Sequence, residues 1–307
     1  MSEPVFVDDE LEAVCAVIRN LDPQGFRTAR VLRDTLDQVY NGQLTGRYRW
    51  SQLYNTEKAG IGMLVKINLH REFKFRDGFE LDYFIAQSDV GCQFSHSRGT
   101  WIITPEFDGQ LCLLIWADDK LSAWRMGVCR ADVDRLNIRC SCDRNATLNE
   151  AGRFEIAWIF KDEPLPPNAL LQIDGKITSE IMRLKSNQLR VNELFRHTLG
   201  MRLGRGVIST VAQEEDYMKR VRGNTGARTA LQPEGIVILE QYDSHRAIAR
   251  ALGAVEPGHG ELVPLRIVPA KRRDPHTAEI AGRLWRIAKR TAAVVSAPSL
   301  PNVSTVS

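Results

Sequence analysis

Long apolar runs are absent from this 307-residue chain. Its most apolar stretches, such as Leu111–Trp116, fall far short of the ~20 residues that a helix needs to cross a bilayer, and the N-terminus is acidic where a secretory signal would be basic. A cytoplasmic protein with no membrane partner is expected. The cysteines lack metal-ligand spacing. All six (Cys15, Cys92, Cys112, Cys129, Cys140 and Cys142) lie in the first half, and Cys140-Ser141-Cys142 has no second C-x-x-C pair or nearby His to complete a zinc set. Cys112 and Cys129 sit in apolar stretches and read as core packing. No internal repeat is visible, which excludes a solenoid. What remains is a globular composition, 43% hydrophobic and 26% charged, in a chain long enough for two domains with a core each.

The net charge of +3 hides an asymmetry. Residues 1–160 carry 19 Lys and Arg against 23 Asp and Glu, whereas residues 161–307 carry 22 against 15. The positive field therefore belongs to the second half, the better place for phosphate contacts. Helical spacing runs through Leu11–Ile18, through Ala29–Val39 and from about Thr56 to Phe73. Stretches around Phe79–Ile85, Gly91–Ser95, Thr100–Ile103, Leu111–Trp116 and Ala123–Val128 have the composition of strands. Together these predict an α/β domain over residues 1–160. Three prolines near residues 161–167 predict a linker, residues 168–298 a second domain, and the small, polar residues 299–307 a disordered tail.

Within the second domain, Lys176–Arg228 holds 11 Lys and Arg against 5 Asp and Glu. Arg205–Ala212 and Asp216–Arg222 fit two short helices joined by a tight turn, with Val207, Ile208 and Val211 facing Met218 and Val221. That leaves Tyr217, Lys219, Arg220 and Arg222 outward, the arrangement of a helix-turn-helix whose second helix enters the major groove. Asn224 and Arg228 follow in a glycine-rich segment beginning at Gly223, and Gly235–Glu240 reads as the strand of a wing. With Arg205, these residues are the candidate DNA contacts of the second half. A solvated basic helix would show the same pattern.

A second constellation lies in the first half. Metal-dependent nucleases of the PD-(D/E)XK type place an Asp at the end of one strand and an acid-x-Lys on the next, often with a Glu from a preceding helix. The carboxylates hold Mg²⁺, and the Lys stabilises developing charge. Asp82 has the position of the first Asp, but the acid-x-Lys position reads Gly91-Cys92-Gln93, and no Asp, Glu or Lys occurs between Val90 and Ser97. Asp89, two residues before Gly91, is the nearest acid that migrated chemistry would use. Beyond that strand, Ser95, His96 and Arg98 form a cluster able to donate to bases or phosphates, or a plain surface turn.

The chain resembles the NaeI type II restriction endonuclease family along nearly its whole length, through runs such as Arg33–Gln38, Ile67–Phe73, Asp77–Glu80, Arg190–Arg196 and Tyr217–Gly223. The resemblance implies an α/β, restriction-endonuclease-like (PD-(D/E)XK) N-terminal domain and an α+β winged helix-turn-helix C-terminal domain. It implies a homodimer on double-stranded DNA, with a palindromic site, and a cytoplasmic, nucleoid-associated location. Carried over by position, the helix Glu falls on Lys66, the first Asp on Asp82, the second acid on Gly91 and the Lys on Gln93, so one of the four is kept. The expectation is a sequence-specific DNA-binding protein with a degenerate nuclease site and no cofactor. Two alternatives stand beside it: an active endonuclease using Mg²⁺ through rearranged residues, and an assembly protein that no longer binds DNA.

Overall fold

Five of the described helices begin at a side chain that accepts from one of their first unpaired backbone N–H donors. Asp8 accepts from Leu11 N ahead of α1 (Asp9–Leu21), whose first turn holds Asp9, Glu10 and Glu12. α2 (Phe26–Tyr40) follows a turn over residues 22–25, and the short α3 (Gly42–Thr45) precedes the long α4 (Asn55–Phe73). Lys74 ends α4 in the left-handed region at φ 56°. The computed structural model describes residues 8–138, 145–222 and 224–301; Cys140-Ser141-Cys142, Gly223 and residues 302–307 lie outside the described residues.

The chain divides into two compact units. The first takes residues up to Val39 and Leu53–Pro166, the second Tyr40–Gln52 and the chain from Pro167 onward. This corrects the expectation of one linker at residues 161–167 in two respects. Residues 161–164 continue a strand, and Tyr40–Gln52 belongs with the second unit because Tyr48 is buried in its core and accepts at its carbonyl from Asn168 Nδ2.

The first unit is built on β1 (Arg76–Asp77), β2 (Tyr83–Ile85), β3 (Ser88–Ser95), β4 (Leu111–Asp118), β5 (Ala123–Arg130), the separate hairpin pair β6 (Leu136–Ile138) and β7 (Ala146–Leu148), the short α5 (Glu150–Phe154), and β8 (Ala157–Pro164). The main sheet has the order β1-β2-β3-β4-β5-β8, with β3 and β4 parallel and the other pairs antiparallel. β4 is buried at every position but its last, which is why Leu111–Ala117 is apolar without alternation. Its Cys112, Leu114 and Trp116 pack with Trp101, Ile103 and Phe107, while α4 lies against β3 and α1 against β5 and β8. The strand expected at Thr100–Ile103 is reduced to a single bridge between Ile103 and Ala146.

The second unit gathers α6 (Ala169–Gln172), α7 (Gly175–Arg183), α8 (Asn187–His197), α9 (Arg205–Ala212), α10 (Lys219–Arg222) and α11 (Ala227–Leu231) around Val191, Leu194, Phe195, Ile208, Val211 and Val221. Arg190, buried on α8, donates to the carbonyls of Val211 and Ala212 at 2.7 and 3.1 Å and so satisfies the C-terminal end of α9. β9 (Ile236–Glu240), α12 (Asp243–Ala251), β10 (Leu262–Pro269), β11 (Ala278–Ile280) and β12 (Arg283–Ile287) complete it, in an antiparallel sheet of order β11-β12-β10-β9. β9 forms where Gly235–Glu240 reads as a strand. Ile236 and Ile238 face the helical core while Val237 and Leu239 face a second core with Ile248, Val263 and Trp285, so the strand is buried on both faces. Leu300, at the start of the expected tail 299–307, packs on that second core, and just before the tail Gln232 and Ala297 exchange two hydrogen bonds. No helix among the described residues is long and apolar enough to cross a membrane.

Candidate functional site

Helix α4 and strands β2 and β3 bring part of the nuclease-type constellation together. Lys66 projects from α4 so that its Nζ lies 2.9 Å from Asp82 Oδ2, just before β2. The same carboxylate oxygen accepts from Cys92 N at 2.7 Å, which fixes Asp82 to β3. Tyr83 donates its hydroxyl to Lys66 O at 2.8 Å, tying the helix turn that carries Lys66 to β2. Burial pushes the Cys92 thiol up to about 12, and the neighbouring Asp82 charge adds to this, so Cys92 is an inert packing group.

Gly91 sits within β3, paired with Cys112, and has no room for a side chain. An ideal Cβ built there would lie 1.9 Å from Phe107 Cε1 and 2.3 Å from its Cδ1. The buried Phe107 ring therefore fills the space into which a carboxylate at 91 would project. Gln93, half-buried two residues on, shares a face of β3 with Gly91 by strand alternation. Asp89 is engaged elsewhere: its carboxylate accepts from the backbone N–H groups of Phe79, Glu80 and Leu81 at 3.0, 2.8 and 3.3 Å, closing the loop that leads to Asp82. Because that loop is a series of bends rather than strand, Glu80 and Asp82 do not share a face by alternation.

Gly91→Ala is accordingly expected to destabilise the protein by about 2–3 kcal/mol, since Phe107 must be displaced from its packed position. A denaturation midpoint equal to that of the wild type would show that the ring yields freely, and Phe107→Leu in the same chain should recover part of the loss.

Of the helix-turn-helix expectation, α9 forms over Arg205–Ala212, and Val207, Ile208 and Val211 share the helical core with Met218 and Val221. The second helix is α10, entered through backbone hydrogen bonds to the carbonyls of Asp216, Tyr217 and Met218, and Tyr217 is half-buried against that core. Two of the residues expected to face outward are engaged in ion pairs. Arg220 pairs with Glu214 at 2.5 and 2.9 Å. Arg222 Nε donates to Glu240 Oε1 at 2.9 Å, and Arg228 donates to the same oxygen at 2.6 Å and to Ile238 O at 3.2 Å. Glu240 is only 2% exposed, so its charge is held in the protein interior by these two arginines. Its backbone N–H donates to Nδ1 of the buried His245, and burial pushes that imidazole down to about 4, keeping it neutral. Arg222, Asn224 and Arg228 share a recess with Glu240, Tyr242 and Pro298–Pro301. Arg205, Lys219, Arg222 and Asn224 are exposed, Arg222 while its guanidinium pairs with Glu240.

The cluster after β3 is also more structural than expected. Ser95 is buried, and its hydroxyl donates to Ser97 O at 2.6 Å, locking the turn. His96 accepts at its carbonyl from Trp116 Nε1 at 3.0 Å, and burial lowers the pKa of its imidazole. Arg98 pairs with Asp162 at 2.7 Å and lies over the Trp116 ring.

Three determinants escaped the sequence reading. Nothing in the local pattern assigns Phe107 to the space beside Gly91, because that contact joins segments separated along the chain. The role of Asp89 as a loop clamp has the same origin. Glu240 did leave a signal: a lone acid ending the apolar run Ile236–Leu239, downstream of two arginines six residues apart.

Comparison with known proteins adds two findings. The family described as Restriction endonuclease NaeI matches residues 12–296. The Type II restriction enzyme NaeI of Lentzea aerocolonigenes is 47% identical over 305 residues, covering 97% of this chain and 96% of that protein.

Proposed function

We infer that this chain, which belongs to the restriction endonuclease NaeI family, is a DNA-acting protein that binds double-stranded DNA at a specific site without cutting it. The observation that carries the reading is the substitution of an ion pair for a metal site. Mg²⁺ demands several hard oxygen ligands in near-octahedral array. Here one carboxylate, Asp82, has an ammonium and a backbone N–H on the same oxygen, and the space beside Gly91 holds a phenyl ring. Among the described residues no group of three or more His, Cys, Asp or Glu is placed to hold a metal ion. The residues present do not fit Mg²⁺.

In this reading α4, β2 and β3 are the frame of a PD-(D/E)XK nuclease retained as a DNA-binding surface, and the basic second unit supplies phosphate contacts through its exposed Arg205, Lys219 and Asn224, with His96 and Arg98 at the end of β3. Arg220, Arg222 and Arg228 serve the fold first. A homodimer, as the family resemblance implies, would through its two-fold symmetry require a palindromic site. The second reading, cleavage through rearranged ligands, is favoured by the relative at 47% identity, a Type II restriction enzyme.

Selection of bound duplexes from a randomised pool in the presence of Mg²⁺ tests both. Enrichment of a palindromic sequence recovered at full length is expected. Recovery of cut ends at a fixed position would replace the first reading with the second, and no enrichment of any duplex would remove both.

A further inference from the structure

We propose that Lys66 is a built-in cation that holds a DNA phosphodiester in the cleft beside α4 and β2 with no divalent metal. The inference rests on the reading of the protein as one that binds DNA without cutting.

The cleft is lined by Met63, Lys66, Ile67, His70 and Arg71 of α4 together with Asp77, Asp82 and Tyr83. Lys66 and Asp82 are 19% and 24% exposed at their side chains, so their ion pair is reachable from solvent and not sealed in the core. Its geometry is fixed on both sides. Cys92 N holds the carboxylate, and the Tyr83 hydroxyl holds the backbone of the helix turn that carries the ammonium. An ammonium has three N–H donors, and Asp82 engages one oxygen's worth of that capacity, which leaves donors for a phosphate oxygen. Arg71 adds a second positive charge at the same cleft, where it offsets the exposed carboxylate of Asp77, 3.7 Å from His70 Nε2.

The charge state of Asp82 decides the outcome at this point of the cleft. A pocket presenting bare carboxylates repels the DNA backbone until a divalent ion is bound, whereas Lys66 neutralises Asp82 permanently. The cleft is therefore ready for a phosphodiester in the absence of metal, and binding should release counterions from DNA as any lysine–phosphate contact does.

The test uses the full-length protein and a duplex enriched from a randomised pool in EDTA, followed by fluorescence anisotropy. Wild-type affinity is expected to agree within about twofold between EDTA and Ca²⁺. Lys66→Met is expected to weaken binding about tenfold in both conditions and to reduce the slope of log K against log salt by about one. Lys66→Arg should retain metal-free binding, which separates loss of charge from loss of folding. Lys66→Glu should bind worst in EDTA and regain affinity in Ca²⁺. Failure to enrich any duplex in EDTA, a wild type that requires Ca²⁺, or Lys66→Met binding like the wild type would each overturn the proposal. Site-specific cutting by the wild type in Mg²⁺ would instead overturn the reading on which it rests, so the two failures are distinct.

Discussion

Supercoiled plasmid incubated with the purified protein and Mg²⁺ is expected to stay supercoiled. Hydrolysis of a phosphodiester by this type of site depends on a metal that activates water and neutralises the phosphate, and on a cation aimed at the charge that develops. Asp82 alone cannot supply the first, because Lys66 and Cys92 N already occupy its Oδ2, and Gln93 is neutral where the second is needed. A single misplaced transition-state donor costs about 10²–10³ in rate. Loss of the metal as well should lower the rate by roughly 10⁵-fold, about 7 kcal/mol on the barrier. Linear or nicked product at one site, abolished by Asp82→Ala, would establish cutting and sink this expectation. Reintroducing the acid, helix Glu and Lys through Lys66→Glu, Gly91→Asp and Gln93→Lys is expected to leave the plasmid intact as well, because Asp at 91 collides with Phe107. Any recovery of cutting should require a smaller residue at 107.

The double variant Arg222→Ala, Arg228→Ala is expected to lose stability before DNA binding can be assessed. Both arginines donate to Glu240, which is 2% exposed, and without them a carboxylate is left buried and unpaired. Breaking such a pair costs about 3–5 kcal/mol, and the lower end applies because the two guanidinium groups are 46% and 28% exposed and partly hydrated. For a unit of this size that corresponds to a fall in Tm of roughly 6–12 °C. The exposed pair Arg205→Ala and Lys219→Ala offers the contrast: a Tm close to that of the wild type, with weaker DNA binding and a shallower salt dependence. Should Arg222→Ala, Arg228→Ala melt like the wild type while losing DNA affinity, the two arginines belong to DNA recognition and not to the fold.

That contrast marks how far residue type alone can be read. An arginine in a basic stretch looks like a DNA contact whether it faces solvent or reaches back to a carboxylate. Arg220 was read outward, yet its partner Glu214 lies only six residues away. Arg222 does face solvent, yet its guanidinium also reaches Glu240, 18 residues on, at the end of a strand that the second core buries on its other face. At Ser95, the last residue of β3, the sequence leaves both a donor to DNA and a plain turn open, and the local turn takes its hydroxyl.

The sequence by itself determined the mixed α/β character, the long apolar strand at Leu111–Trp116, the α9 helix, and the absence of an acid-x-Lys at Gly91–Gln93. These depend on periodicity, capping and residue chemistry, which act over a few neighbours. Tertiary structure alone decided that Lys66 and Asp82 meet across α4 and β2, that Phe107 closes the space beside Gly91, that Asp89 serves a loop, and that Tyr40–Gln52 joins the second unit. Each of these is a contact between segments distant along the chain. Such contacts are set by how side chains fill a common core at close-packed density, a constraint that no local pattern carries.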